Sequence, residues 1–251
     1  MSELVHLDVA NRVATITLDS PHNRNAMSRR LLEEFDDALV RARDDSDVRG
    51  VLLTATGTTF CAGADLKDPP GNSDGSSVSV PRILSNMWSF PKAIVVQLNG
   101  HVRAGGIGIV GAADIVIAPR SATFAFTEVR IGVAPAIIAA VCRQQMSPRA
   151  LLRYTLTGET FDAAAAMEAG LVTVAVPDED TAATAEAVLQ AIRLTEPNAV
   201  RATKQLLREL PAMGMDDAFS HAEALSLELF RSPAAAEGIQ AFREKRPPSW
   251  V

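Results

Sequence analysis

The sequence predicts an α/β fold, and two observations carry the prediction. Short apolar strands alternate with amphipathic helices through the first half of the chain, in the order strand, helix, strand, helix, strand. Beyond Pro135 nearly everything has helical spacing. With 251 residues, 47% hydrophobic and 22% charged, there is ample apolar surface for a core with a helical appendix. The expected division is a core over residues 1–190 and a helical region over 191–251.

The elements follow in chain order. LVHLDVANRVATITLD alternates apolar and polar residues on both sides of Ala10-Asn11-Arg12 and reads as a hairpin over 4–18. SPHNRN, rich in Asn and Pro, is a turn. Leu31, Leu32, Phe35, Leu39 and Val40 have helical spacing behind a plausible N-cap at Ser28. VRGVLLTA is a strand over 48–55, and TGTTFCAGADL follows as a tight loop of small residues. KDPPGNSDGSSVS has the composition of a surface loop. A helix over 80–89, strand AIVVQL, a glycine segment and strand ADIVIA come next. The later helices are expected at 135–145, 148–156, 162–169, 179–195, 198–210 and 215–230, interrupted by the apolar piece LVTVAV.

Composition narrows the function classes. The net charge of −6 argues against a general nucleic-acid or anionic-membrane surface, while leaving room for a small anionic ligand held by a few local cations. Two cysteines without a C-x-x-C and four scattered histidines give neither a disulfide framework nor a metal site. No apolar run reaches the roughly 18 residues that a membrane-spanning helix needs. The start, MSELVHLDVANRV, carries charge and alternation where a signal peptide has an apolar stretch. The expectation is a soluble cytoplasmic protein.

The run Gly106-Ile-Gly-Ile-Val-Gly111 admits three readings. As G-x-G-x-x-G after a strand it matches a dinucleotide-binding pattern, although the next strand, ADIVIAPRS, lacks the acid expected at its end. As packing, its glycines let a helix approach a neighbour closely. In the third reading this loop and TFCAGADL each bring a backbone N–H to one ligand oxygen, with a helix N-terminus behind.

NRNAM, TGTTFCAGADL, PKAIVVQLNGHVRAGGIGIVGAADIVIA, ATFAFTEVRIGVAP and LTGETFDAAAAMEAGLV occur in this order. Together they resemble the enoyl-CoA hydratase/isomerase (crotonase) family over essentially the whole chain. The resemblance implies a spiral of ββα units with a C-terminal helical trimerisation region. It also implies an acyl-CoA thioester substrate, CoA entering as part of the substrate with no separate cofactor, and a homotrimer or dimer of trimers. The family pattern puts an oxyanion hole at the N–H groups of Ala64 and Gly105. Ala62, Asp65 and Leu66 would line the CoA path through their backbone, and Asn25 and Ala26 would lie near the CoA nucleotide. Arg24 and Lys67 are candidate phosphate contacts. Phe242 and Lys245 would reach a neighbouring subunit's adenine.

The chain also departs from that pattern. Typical hydratases of the family carry two glutamates; here the first position is Gly108, and the second, 20 residues later, is Glu128. The apolar setting FAFTEVRIGV suggests a partly buried carboxyl, and burial raises a carboxyl pKa toward the range where it both takes and gives a proton. One carboxyl could run hydration through a single water, with backbone around Gly108 helping to hold it. One carboxyl suffices outright for moving a double bond from β,γ to α,β. Resemblance to bacterial hydratases acting on 3-methylglutaconyl-CoA or short enoyl-CoAs, which also carry this glycine, favours hydration. The alternatives are an isomerase and a catalytically silent acyl-CoA-binding paralogue.

Other residues have plainer expectations. Cys61 is a small packing residue. His101 and Arg103 flank the glycine run and are candidates for touching substrate or a neighbouring subunit, and Asp68 for facing the acyl pocket. Met87, Trp88 and Phe90 are expected in the core or the pocket wall.

Overall fold

The computed structural model describes residues 3–67 and 78–251. Most of the stretch that the composition marks as a surface loop, Asp68 included, lies outside the described residues. The chain forms two compact units, Met1–Leu189 and Gln190–Val251.

In the first unit, β1 (Val5–Ala10) and β2 (Val13–Leu18) form the expected hairpin, with Val5 opposite Leu18 and Ala10 opposite Val13. Its two loop residues, Asn11 and Arg12, have φ of 48° and 64°. Two consecutive positive φ values define the turn whose twist suits a two-residue hairpin. Helix α1 (Arg29–Asp44) starts where Ser28 Oγ accepts from Leu31 N–H at 3.3 Å. It buries Leu31, Leu32, Phe35 and Leu39.

A repeated unit then builds two sheets. Strands β3 (Gly50–Ala55) and β4 (Thr59–Cys61) precede α2 (Val80–Trp88); β5 (Ala93–Gln97) and β6 (His101–Arg103) precede α3 (Gly105–Ala112). Strands β7 (Ile115–Pro119) and β8 (Thr123–Ala125) come next, followed by α4 (Ala136–Gln145) and α5 (Pro148–Thr157). Two-residue β9 (Phe161–Asp162), α6 (Ala163–Glu168) and β10 (Val174–Val176) complete the strands. The large sheet has the order β1-β2-β3-β5-β7-β10 and the small one β4-β6-β8-β9. The pairs β3/β4, β5/β6 and β7/β8 each place their first strand in the large sheet and their second in the small one, and a helix carries the chain onward. This is the spiral of ββα units that the resemblance implies.

The strands β4, β6, β8 and β9 are absent from the sequence expectations. At two or three residues each they are too short for alternation to register. They nevertheless hold the core: Phe60, Phe124 and Phe126 are fully buried, and Phe124 and Phe126 stack on Phe161.

Helix α7 (Thr181–Arg193) runs across the division between the units. The second unit contains α8 (Pro197–Glu209), α9 (Met215–Phe230) and α10 (Pro233–Glu244). Helix α8 has proline in its first turn and Glu196 as its cap, accepting from Ala199 N–H at 2.7 Å. The sequence reading omits α10, which Ser232 caps. Phe219, Phe230 and Phe242 on this unit are 69%, 70% and 84% exposed, far more than large aromatic side chains usually show. No described helix is long and apolar enough to cross a membrane.

Candidate active site

Two turns define the site. The first runs from the end of β4 through Gly63 to Lys67, and a bridge between Met27 and Ala64 fixes it. Met27 N–H donates to Gly63 O at 2.8 Å, and Asp65 N–H donates to Met27 O at 3.2 Å. Neither bond uses the N–H of Ala64. Gly63 has φ of 93°, in the region that favours glycine. The second turn joins β6 to α3. Gly105 is the first residue of α3, so its N–H is among the helix donors without an intrahelical acceptor.

The turns meet at these two amides. A Cβ on Gly63 would stand 3.3 Å from Gly105 N, and a Cβ on Gly105 would stand 3.8 Å from Ala64 N. Gly63, at positive φ and with its Cβ position 2.7 Å from Ala104 Cβ, must be glycine, whereas at Gly105 the closest atom is the flexible end of Met27. Ala104, between them in space, has φ of 47° and ψ of −125°, where an L residue costs about 1–3 kcal/mol. Bonds on both sides hold it: its N–H donates to Ala125 O at 3.0 Å, and its O accepts from Ile107 N–H at 2.9 Å.

Asn25 braces the first turn. Its side chain is fully buried; Oδ1 accepts from Ser20 N–H at 2.7 Å, and Nδ2 donates to Thr56 O and Thr59 O at 3.0 and 2.8 Å. The amide is engaged inside the protein, so any effect on a ligand passes through the turns it holds. Asn25→Ala leaves one N–H and two carbonyls without that partner and is expected to cost about 2 kcal/mol. That corresponds to a fall of about 4–8 °C in the thermal midpoint, measurable by circular dichroism.

The remaining expected ligand contacts divide. Ala62 N–H donates to Arg24 O at 3.1 Å, and the Asp65 carboxylate accepts from Asn23 Nδ2 at 3.1 Å and Lys67 N–H at 3.0 Å. Ala26 is buried. Arg24, Leu66 and Lys67 are exposed. Phe242 and Lys245 belong to the second unit, both exposed, with Lys245 at φ 56° where α10 ends.

Glu128 lies on a 3-10 turn, Thr127–Ile131, that follows β8 directly. Strands β6 and β8 are parallel, with Arg103 opposite Ala125. Gly105 and Glu128 therefore leave adjacent strands at the same end. Val133 N–H donates to Glu128 O at 3.0 Å and Gly132, at φ 80°, closes the turn. Glu128 Oε2 is buried and has no hydrogen-bond partner among the described residues. Burial pushes this carboxyl pKa upward. Its charge is felt at Cys142 of α4, whose thiol is pushed up to about 12, chiefly by burial and secondarily by Glu128.

The glycine run divides by role. A Cβ on Gly106 would stand 2.8 Å from Cys61 Cβ, one on Gly108 2.5 Å from Ile138 Cγ2, and one on Gly111 3.2 Å from Cys142 Sγ. The three glycines of the dinucleotide pattern thus seat α3 against its neighbours, and Gly105 alone borders the two free amides. Cys61 is a buried packing residue, its thiol pushed up to about 12 by burial. Arg103 donates to Thr123 O at 2.6 Å and Thr123 Oγ1 at 2.8 Å, and His101 Nδ1 lies 3.0 Å from the same hydroxyl. Both residues thereby tie β6 to β8. No group of three or more His, Cys, Asp or Glu among the described residues could hold a metal ion.

Met87 and Phe90 are core. Trp88 lines a largely apolar cavity of about 370 Å³ between α2 and α4, with Leu84, Ile137, Ala140 and Val141. Nothing in the sequence singles out Leu84, Ile138 or Ala104, because their importance arises from what they touch.

The fold and these turns define a protein of the crotonase class. Residues 8–251 match the enoyl-CoA hydratase/isomerase family model, and the chain belongs to that family. It is 34% identical over 243 residues to enoyl-CoA hydratase EchA19 of Mycobacterium tuberculosis, covering 94% of this chain and 91% of that one. It is 31% identical over 256 residues to (E)-benzylidenesuccinyl-CoA hydratase of Thauera aromatica, covering 98% of each. The crystal structure of an enoyl-CoA hydratase from Shewanella pealeana superposes with a TM-score of 0.90 at 28% identity, covering 98% of this chain and 96% of the other.

Proposed function

We propose that this protein adds water to a 2-enoyl-CoA thioester. Glu128 is the acid and base, and the N–H groups of Ala64 and Gly105 are the oxyanion hole. What supports the reading is the meeting of two amides without acceptors among the described residues, from separate turns, in the chain that also carries a half-buried carboxyl. The thioester carbonyl oxygen accepts from both amides. Glu128 takes a proton from water as its oxygen bonds to Cβ, and the electron pair moves onto the carbonyl oxygen as an enolate. Glu128 then returns the proton to Cα. Two fixed donors favour the enolate over the neutral carbonyl because charge develops where they already point.

In this reading Arg24 and Lys67 meet the CoA phosphates. Phe242 and Lys245 meet a neighbouring copy's adenine, and the acyl group points toward the cavity between α2 and α4. The exposed phenylalanines of the second unit support self-association, which this reading assigns to a trimer or dimer of trimers in the cytoplasm.

One observation favours a second reading. The place beside Gly108 is filled by Ile138 and Leu84, which leaves Glu128 without the family's second carboxylate, and one base is enough to shuttle a proton from Cα to Cγ of a 3-enoyl-CoA. A panel of 2-enoyl and 3-enoyl thioesters tests both. Hydration adds the mass of one water, whereas isomerisation leaves the mass unchanged and creates conjugated absorbance. Calorimetric binding of a CoA thioester with no conversion of any panel member would overturn both readings in favour of a silent binding protein.

A further inference from the structure

We infer that Ile138 limits the rate of hydration at the site, by occupying the space a second carboxylate at position 108 would need. The inference rests on the reading above and deepens it. A Cβ on Gly108 would stand 2.5 Å from Ile138 Cγ2, 3.1 Å from Ile138 Cβ and 3.0 Å from Leu84 Cδ1. Both residues are 3% exposed. The two obstacles differ in kind. Leu84 Cδ1 is the free end of a flexible side chain, whereas Ile138 is branched at Cβ inside a helix, where its χ1 is nearly fixed. Ile138 is therefore the part that cannot swing aside.

The packing around it is continuous. Ile138 and Cys142 are four apart on α4 and share a face, while Gly108 and Gly111 are three apart on α3. Each α4 side chain fills one glycine gap. Helix α3 and Glu128 follow adjacent parallel strands, β6 and β8, at the same end of the small sheet. A wall of isoleucine and leucine offers no hydrogen bond to a water, so proton transfer falls to Glu128 alone. Hydration in the native enzyme is held below what the oxyanion hole and CoA site would otherwise support.

The test compares Gly108→Glu, Ile138→Ala and the double variant on crotonyl-CoA and a 3-enoyl-CoA. The double variant is expected to hydrate crotonyl-CoA at least about tenfold faster than the native protein, a modest part of what a positioned acid or base contributes. Gly108→Glu alone should fall below native, and Ile138→Ala alone should not reproduce the gain. Equal hydration by Gly108→Glu and the double variant, or no gain in the double variant, overturns the inference. If the double variant does not fold, thermal midpoints of Gly108→Ala, Ile138→Ala and their combination decide: Ile138→Ala should cost less in the presence of Gly108→Ala than without it, and additive losses overturn the wall. A native protein inactive on the panel beside a double variant that hydrates crotonyl-CoA would defeat the proposed function and leave this inference standing; inactivity of both defeats both.

Discussion

Glu128→Gln is expected to lose about 10²- to 10⁴-fold in kcat on the preferred enoyl-CoA and to melt at a higher temperature than the native protein at neutral pH. Both effects have one cause. Burial raises the carboxyl pKa, and Oε2 is enclosed without a hydrogen-bond partner among the described residues. A carboxyl whose folded pKa lies above its unfolded one stabilises the fold below the unfolded pKa, and that stabilisation is lost as pH rises through the folded pKa. Above that point the native protein holds a partly buried charge, offset only in part by the residue's own backbone N–H, that glutamine removes. The gap in midpoint between variant and native should therefore close as pH falls toward the unfolded carboxyl's pKa. The same shift governs the rate. The base form is needed, so activity should fall as pH drops through the raised pKa, on a limb lying above that of an ordinary exposed glutamate. Native-like kcat in Glu128→Gln removes the assigned acid and base. A variant less stable than native across neutral pH would show that the carboxylate is stabilised by something other than the burial described here.

The sequence made the large elements legible because their signals are local. The hairpin around Asn11-Arg12, the Ser28 cap and the apolar strands Gly50–Ala55 and Ala93–Gln97 each follow from residues next to one another. The small sheet was not legible, since Thr59–Cys61 and His101–Arg103 pair across about 40 intervening residues and neither is long enough to alternate. The glycine run was legible as important but not in its division of labour. Only the atoms across from each missing Cβ separate Gly105, beside two free amides, from Gly106, Gly108 and Gly111, which seat α3 on Cys61, Ile138 and Cys142. Asn25 shows the same limit. Its type suits a polar ligand as well as a buried brace, and burial with three internal bonds decides for the brace.

Ala64→Pro should lower kcat by at least about 10²- to 10³-fold, the loss typical of removing one oxyanion donor, with circular dichroism checking that the fold is kept. Proline removes the N–H and puts its ring Cδ where that hydrogen was, so it deletes the donor and crowds the position of the carbonyl oxygen. The bonds that hold this turn run from Met27 N–H to Gly63 O and from Asp65 N–H to Met27 O, and both survive. Gly105 N–H remains at the head of α3, which is why activity should fall without vanishing. KM should rise as well, because the ring Cδ crowds the position where the thioester oxygen binds. Ala64→Ser, which keeps the amide, is the control and should retain most of the rate. A proline variant with native circular dichroism and native kcat would show that this amide does not face the reacting oxygen, and the two-donor mechanism would fall with it.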